Sequence, residues 1–588
     1  MAYRPPVQDM VFVLEHLVGI TDLAQLDGFE ELDIDTVEGL LDEAGRFCAE
    51  QLEPLNRSGD TQPARVEGNT VVIADGFSEA YSMFVENGWN GIAFDPAYGG
   101  GGLPWTLGVT VQEMVHSANM SFALCPLLTQ GSVDMLMHHA SEEQKETYLH
   151  KLVSGEWTGT MNLTEPNAGS DVGALAAKAV PAGDGTYRIT GNKIFITFGE
   201  HEMAENIIHL VLARTPDAPV GTKGISCFIV PKFLVNADGS LGERNDVSVV
   251  STEHKVGIHA SPTCVMSFGD EGGATGYLIG DENQGMRYMF TMMNNARLSV
   301  GIQGLAVAES AMQLAAGYAR ERKQGRPIGA DAGAAIVEHA DVRRMLMTMR
   351  SHVEAMRGLM YLNAEAMDRS TNGTGDEAAA AASRAALLTP LSKGWGTDSG
   401  VEVTSIGIQV HGGMGYIEET GAPQYWRDSR ILPIYEGTNG IQALDLVFRK
   451  LPLDGGNAMR SLLDDMSSVA RSTDGGPLTD LGIALDAAIG DVETVATWMA
   501  GAAPNDVAAG ATPYLALTGT AAAGWVHVMS AVAAQRLLDD GAGDTDFLSD
   551  KIASARFYCG QFLPRTASMV AACTAGADPL YAVAAERF

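Results

Sequence analysis

Hydrophobic positions change period twice along the chain. From Val7 to Ile20 they recur at helical spacing through Val11, Leu14, Leu17 and Val18, and Leu32 to Leu55 repeats this through Leu40, Leu41, Phe47 and Leu52. Residues 1–157 are therefore predicted to form a helical domain, with the Tyr98–Gly102 glycine run as a break between helices. From 158 to about 280 the pattern becomes short β-branched and aromatic runs: Tyr187-Arg-Ile-Thr, Lys193-Ile-Phe-Ile-Thr, Ile207 to Leu212, Ile225 to Val230 and Cys264 to Phe268. Turn residues at Gly183–Gly185, Pro216–Asp217 and Asp238–Gly239 separate them, which predicts a small antiparallel β-domain. Residues 281–450 return to the helical period. Gln284 to Gln324 contains no proline and is predicted as one long bundle helix. Helices are also expected over Val337–Met367 and Ala378–Val410, the latter kinked or interrupted at Pro390. Leu451–Gly456 reads as a linker. Beyond it, residues 451–588 are Ala-rich and amphipathic, with breaks at Ala503-Pro504, Thr512-Pro513 and Gly541–Gly543; a helical packing or oligomerisation module is expected there.

Composition narrows the functional classes. At 588 residues and 46% hydrophobic, the chain can bury the cores of three or four domains. A formal net charge of −35 disfavours nucleic acid and anionic membrane surfaces as partners, while leaving room for a local basic funnel. The six cysteines form no Cys-x-x-Cys pair, so they read as buried small hydrophobes of a reducing compartment, with no zinc site or other metal. The opening residues lack a signal-peptide core, and no uncharged apolar run of about 18 residues is read in the chain; the expectation is a cytoplasmic protein without a membrane span.

Candidate chemistry centres on Ile434-Tyr435-Glu436-Gly437-Thr438. Pro433 before and Gly437 after place Glu436 on a short connection. A loop glutamate alone is ordinarily a solvated charge. Four further motifs precede it in order: Met161-Asn-Leu-Thr-Glu-Pro166, Gly169-Ser-Asp171, Lys193-Ile-Phe-Ile-Thr197 and Gln409-Val-His-Gly-Gly413. No Gly-x-Gly-x-x-Gly follows a strand, which argues against a Rossmann-bound nicotinamide.

This ordered series resembles the acyl-CoA dehydrogenase family over about residues 30–450. It extends to the subgroup with an added C-terminal helical domain. The resemblance implies an α+β fold: an N-terminal helical domain (1–157), a middle antiparallel β-barrel (158–280), a C-terminal helical bundle (281–450) and the extra helical domain (451–588). It implies FAD as cofactor and Glu436 as the base that takes the α-proton of an acyl thioester. Enclosure beside Tyr435 and the apolar acyl chain is expected to raise the pKa of that carboxyl toward working pH. The Glu436 N–H is expected to serve the thioester oxygen, with Gly437 allowing close approach.

The remaining roles also follow from the resemblance. Thr164 and Ser170 match flavin-contacting hydroxyls, and Met161 opens the same segment. Phe195 and Thr197, two apart on an expected strand, would share a face against the flavin ring. Arg322 matches an arginine that reaches a neighbouring subunit's FAD pyrophosphate, though Gly325-Arg326-Pro327 replaces the usual Phe-Gly. Gln409, Gly412 and Gly413 match the approach to a second subunit's adenosine half, and Thr438 an FAD contact. The glutamine usual two positions later is Gly440 here, so its contact is lost or supplied by Gln442. His411 reads as a packing or hydrogen-bonding residue. Ser170, Asn294, Arg297, Tyr435 and Gly437 match the substrate side. A homodimer passing electrons to an electron-transfer flavoprotein is implied. Two alternatives stay open: an oxidase of the same fold, and a DNA-associated alkylation-response flavoprotein. The second fits poorly with the charge and with Lys551 as the one lysine of residues 451–588.

Overall fold

A computed structural model of the chain describes residues 3–588. It divides into two compact units: one of residues 44–103 and 114–299, the other of 1–43, 104–113 and 300–588.

The first unit is built around a sheet. Its strands are β3 (Trp157–Asn162), β4 (Lys178–Pro181), β5 (Tyr187–Thr197), β6 (Asn206–Ala213), β7 (Ser226–Pro231), β10 (Val247–Thr252), β11 (Thr263–Phe268) and β12 (Ala274–Leu278). They lie in the order β10-β11-β5-β12-β7-β6-β3, with β4 also on β5. Every residue of β6 and β7 is buried, which is why both read as continuous apolar runs and not as alternation. The helix Met120–His139 packs on β3, where a side chain on Gly159 would place its Cβ 2.2 Å from Ser132 Oγ. Two further ribbons complete the strands: β1 (Arg65–Glu67) with β2 (Thr70–Val72), and β8 (Phe233–Val235) with β9 (Leu241–Arg244).

The antiparallel barrel expected from the sequence needs correction. β3 runs parallel to β6, and among the described residues the hydrogen-bonded path has two ends, β10 and β3, that do not join. The β1–β2 ribbon interrupts an N-terminal region expected to be all helix. Its two-residue Gly68-Asn69 turn is a hairpin signal lying in plain view.

The second unit is helical. The helix Gly285–Glu321 enters it at Val300 and crosses Gly396–His411 at very short range. A Cβ on Gly304 would lie 2.8 Å from the Gly396 carbonyl oxygen, and one on Gly400 2.7 Å from that of Gly304, so only glycine permits this approach. Pro390 ends the helix Gly375–Pro390 as expected of a residue without an N–H. The chain does not leave the axis there: a π-helical turn, Leu391–Trp395, carries it into Gly396–His411. Deep in this unit Arg357 is ringed by carboxylates. It donates to Glu113 at 2.6 Å, to Glu309 at 2.7 Å and, at short range, to Asp9, while the Tyr361 hydroxyl donates to Glu113 at 2.6 Å. One side chain thereby ties three separate stretches of the chain.

The added C-terminal segment contributes the 36-residue helix Pro504–Asp539. The break expected at Thr512-Pro513 does not occur; Pro513 lies inside this helix, and Pro504 opens it. The expectation of no sufficiently apolar stretch is also corrected. This helix is long and apolar enough to cross a membrane by length and composition, and 83% of that window is buried inside the protein. It is a core helix. Leu515 packs on Gly394, and Gly519 accommodates Trp395, the last two residues of the π-turn. Lys551 is likewise buried, paired with Asp9 and Glu354. All six cysteines are free and buried.

Candidate functional site

Each unit carries a share of the expected residues. In the sheet unit, the segment after β3 is fixed by a buried ion pair: Lys193 donates to Glu165 at 2.8 Å and to the Leu163 carbonyl at 3.0 Å. The Glu165 carboxylate also accepts from the Ala176 and Ala177 N–H groups at 2.6 and 3.1 Å. Burial pulls the Lys193 pKa down, against the opposing pull of Glu165. The Ile194 N–H donates to the Thr164 carbonyl at 2.9 Å, which brings the Thr164 segment alongside the strand bearing Phe195. Met161 and Thr164 are half-buried and Ser170 is exposed.

The alternation of the strand breaks just before Phe195, while Phe195 and Thr197 still flank the inward Ile196. A β-bulge sets Ile194 and Phe195 against the single residue Val265, and Phe195 takes φ 60°. Lys193 and Ile196 consequently both face inward, while Phe195 is 58% exposed. A bulky aromatic held outward at a disfavoured backbone angle is a candidate functional position. Its ring, with the half-buried Thr197 two residues on, offers a flat apolar surface and a hydroxyl. On the long helix, Asn294 is exposed and Arg297 buried.

In the helical unit the Glu436 loop is a tight reversal. The Asn439 N–H donates to the Pro433 carbonyl at 3.0 Å. Glu436 lies at φ 55° and Gly437 at φ 84°, so the expected catalytic residue is the strained one. The Tyr435 hydroxyl donates at short range to Gln303. Burial, with the Glu436 charge adding to it, pushes the Tyr435 phenol well above its usual range. Thr438 caps the helix Asn439–Asp445, its hydroxyl accepting from the Ile441 N–H at 3.3 Å. Gln442 is fully buried and donates to the Glu436 carbonyl at 3.3 Å, so it braces the loop from inside and does not reach outward for a nucleotide as one sequence alternative had it. Lys393, on the π-turn, donates to the Gly437 carbonyl at 2.7 Å and to Asn439 Oδ1 at 2.9 Å.

Arg322, Gln409, Gly412 and Gly413 are all exposed, and a Cβ on either glycine would meet nothing within 4 Å. His411 beside them points inward: it hydrogen-bonds the Gly407 carbonyl at 2.7 Å and stacks on Tyr318 with ring centroids 4.5 Å apart, and burial lowers its pKa. Sequence reasoning missed Glu165, Gln303, Lys393 and the inward role of Gln442. A lone charge in the otherwise uncharged Leu387–Trp395 stretch was the available signal for Lys393; the others have none.

Four family models match the chain in order. They are the acyl-CoA dehydrogenase N-terminal domain over residues 35–156, the middle domain over 160–270, the C-terminal domain over 283–451, and an acetyl-CoA dehydrogenase C-terminal-like domain over 462–584. The chain is 47% identical to a 3-methylmercaptopropionyl-CoA dehydrogenase of Ruegeria pomeroyi, over 96% of each protein. It is 36% identical to a butyryl-CoA dehydrogenase of Syntrophomonas wolfei, over 96% of this chain and 95% of that one. An acyl-CoA dehydrogenase from Bacillus anthracis, solved in complex with FAD, superposes with a TM-score of 0.74 at 21% identity, covering 93% of this chain and 89% of that one; likeness at this identity concerns the fold.

Proposed function

The chain belongs to the acyl-CoA dehydrogenase family of FAD-dependent oxidoreductases, and from that premise we propose that it dehydrogenates a short-chain acyl-CoA between the α- and β-carbons, with 3-methylmercaptopropionyl-CoA as the substrate it serves best. The observation that carries this is Glu436: a carboxylate on a braced loop, held at φ 55° beside the half-buried Tyr435. Removing a weakly acidic α-proton calls for a base fixed in place before the substrate arrives. FAD, when bound, supplies the hydride acceptor that no protein side chain can be. Glu436 takes the α-proton, and its backbone N–H donates to the thioester oxygen as negative charge grows there.

The residues present suit the flavin. Phe195 offers its exposed ring as a platform, and Thr164, Ser170 and Thr197 lie on the same unit with uncharged hydroxyls for the ring edge. Arg322, with an exposed guanidinium, suits a diphosphate, and Gly412 and Gly413 leave open space for close backbone approach. The last three carry the proposal of a homodimer, because exposed Met414, Tyr416 and Ile417 surround the glycines with apolar surface that a second copy would cover. An electron-transfer flavoprotein is the proposed acceptor and the cytoplasm the proposed compartment, which six free, buried cysteines suit. The DNA-associated alternative is disfavoured because Lys551 is spent on Asp9 and Glu354.

The substrate choice rests on the 47% relative; a thioether and a methylene differ little in size, so discrimination of about 1–3 kcal/mol is expected. Anaerobic titration with 3-methylmercaptopropionyl-CoA and butyryl-CoA, followed by the visible flavin band, tests the reading. Bleaching by both, faster with the thioether, is expected. Glu436→Gln should keep FAD and lose turnover by several orders of magnitude. A flavin that no acyl-CoA reduces, or a Glu436→Gln variant of near-normal rate, overturns it.

A further inference from the structure

We propose that Lys393 is a positioning residue of the proton-abstracting loop: its ammonium grips the Gly437 carbonyl and so fixes Glu436 in its left-handed backbone conformation. The inference rests on Glu436 being the base.

The argument begins with burial. Lys393 is fully buried in the helical unit, on the π-turn between Pro390 and Gly396. An ammonium taken out of water is costly, and an apolar side chain of similar length would fill the same space without that cost. What this ammonium does is donate to two acceptors on the Glu436 loop: the Gly437 carbonyl at 2.7 Å and Asn439 Oδ1 at 2.9 Å. The Asn439 amide is tied in turn to the Gly394 carbonyl at 3.0 Å, Thr397 Oγ1 at 3.0 Å and Asp398 Oδ1 at 2.8 Å. Lysine and asparagine therefore fasten the far side of the loop to the π-turn and the helix that follows.

The anchored carbonyl belongs to the residue after Glu436. Gly437, at φ 84°, has the backbone freedom to swing once that carbonyl is released, and Glu436 at φ 55° then has an easier conformation to fall into. The π-turn matters for the same reason. Its extra residue breaks the helical register and points a lysine inward where a continuous α-helix would set a different residue.

The test uses the FAD-loaded enzyme. Lys393→Met keeps the stem and removes the ammonium; Lys393→Arg keeps a cation and donors. Lys393→Met is expected to retain FAD and a KM within roughly threefold. Flavin reduction at saturating acyl-CoA should slow on the order of 100-fold, as a misplaced reactive group implies. The isotope effect with α-dideuterated substrate should grow, because proton removal becomes the slow step, and Lys393→Arg should regain at least about tenfold of the loss. If Lys393→Met fails to accumulate as folded protein, Lys393→Gln, which removes the charge and shortens the reach to the Gly437 carbonyl while staying polar, decides on the same readouts. A reduction rate within threefold of the parent, or a loss that only follows loss of bound FAD, overturns the proposal. Failure of the parent enzyme to be bleached at all would remove the functional reading, and this inference with it; a bleached parent with an unaffected Lys393→Met removes only this inference.

Discussion

Replacing Arg357 by methionine would test how the helical unit is held together. The guanidinium is fully buried and faces Asp9, Glu113 and Glu309, with distances of 2.6 Å to Glu113 and 2.7 Å to Glu309. Its loss leaves Glu113, itself fully buried, with the Tyr361 hydroxyl, and Glu309 with Gln313. Breaking a buried charge pair from one side costs about 3–5 kcal/mol, since the surviving charges are stranded. At ~2.1 cal/mol/K of unfolding entropy per residue, a unit of roughly 340 residues would lose about 6 °C of Tm for ~4 kcal/mol. Differential scanning fluorimetry of the FAD-loaded protein at pH 7 reads this directly. A triple variant, Arg357→Met with Glu113→Gln and Glu309→Gln, should recover most of the loss, because the penalty lies in unpaired charge and not in the missing cation. A single variant within about 1 °C of the parent, or a triple variant no better than the single, would refute this account.

Two further outcomes follow from the same unit. Burial would raise the pKa of Asp9, but Lys551 and Arg357 outweigh it and bring the carboxyl down to about 2, so its contribution to stability is full above the ordinary value near 4 and is lost as pH falls toward 2. The parent should therefore exceed Asp9→Asn by about 2 kcal/mol at pH 5 and converge with it near pH 2; a constant gap in denaturant midpoints across that range would contradict the assignment. Gly304→Ala drives a methyl to 2.8 Å from the Gly396 carbonyl and should destabilise by about 1–3 kcal/mol while slowing turnover; a neutral effect on both Tm and kcat would show that the crossing helices have slack.

The periodic parts of the fold were legible because burial imposes its own spacing. Gly285–Glu321 appears nearly where its proline-free pattern lay, and β6 and β7 where apolar runs were read. Misreadings fall where tertiary contacts overrule local signals. Pro513 reads as a break from sequence alone, yet the surrounding helix is buried on nearly all sides and keeps its course. The parallel β3–β6 pair joins residues about fifty positions apart, a distance at which no local pattern speaks. At the site, Glu436 was readable from Pro433 and Gly437 around it. The brace behind it was not, because Lys393 and Gln303 reach the loop from other helices. The strand bearing Phe195 and Thr197 is legible, but nothing in Lys193–Thr197 announces the bulge that puts Lys193 and Ile196 on the same inward side.

The helix Pro504–Asp539 bears on how catalysts of this kind can be recombined. Leu515 and Gly519 close over Gly394 and Trp395, the two residues that follow the lysine that grips the loop. Residues 451–588 are thus no detachable accessory. Grafting the bundle onto a shorter homologous scaffold, or trimming the tail to shrink the enzyme, would open the turn beneath Lys393 to water and strip the bundle of a core helix, costing turnover and folding together. Segment lengths in such chimeras have to be inherited together.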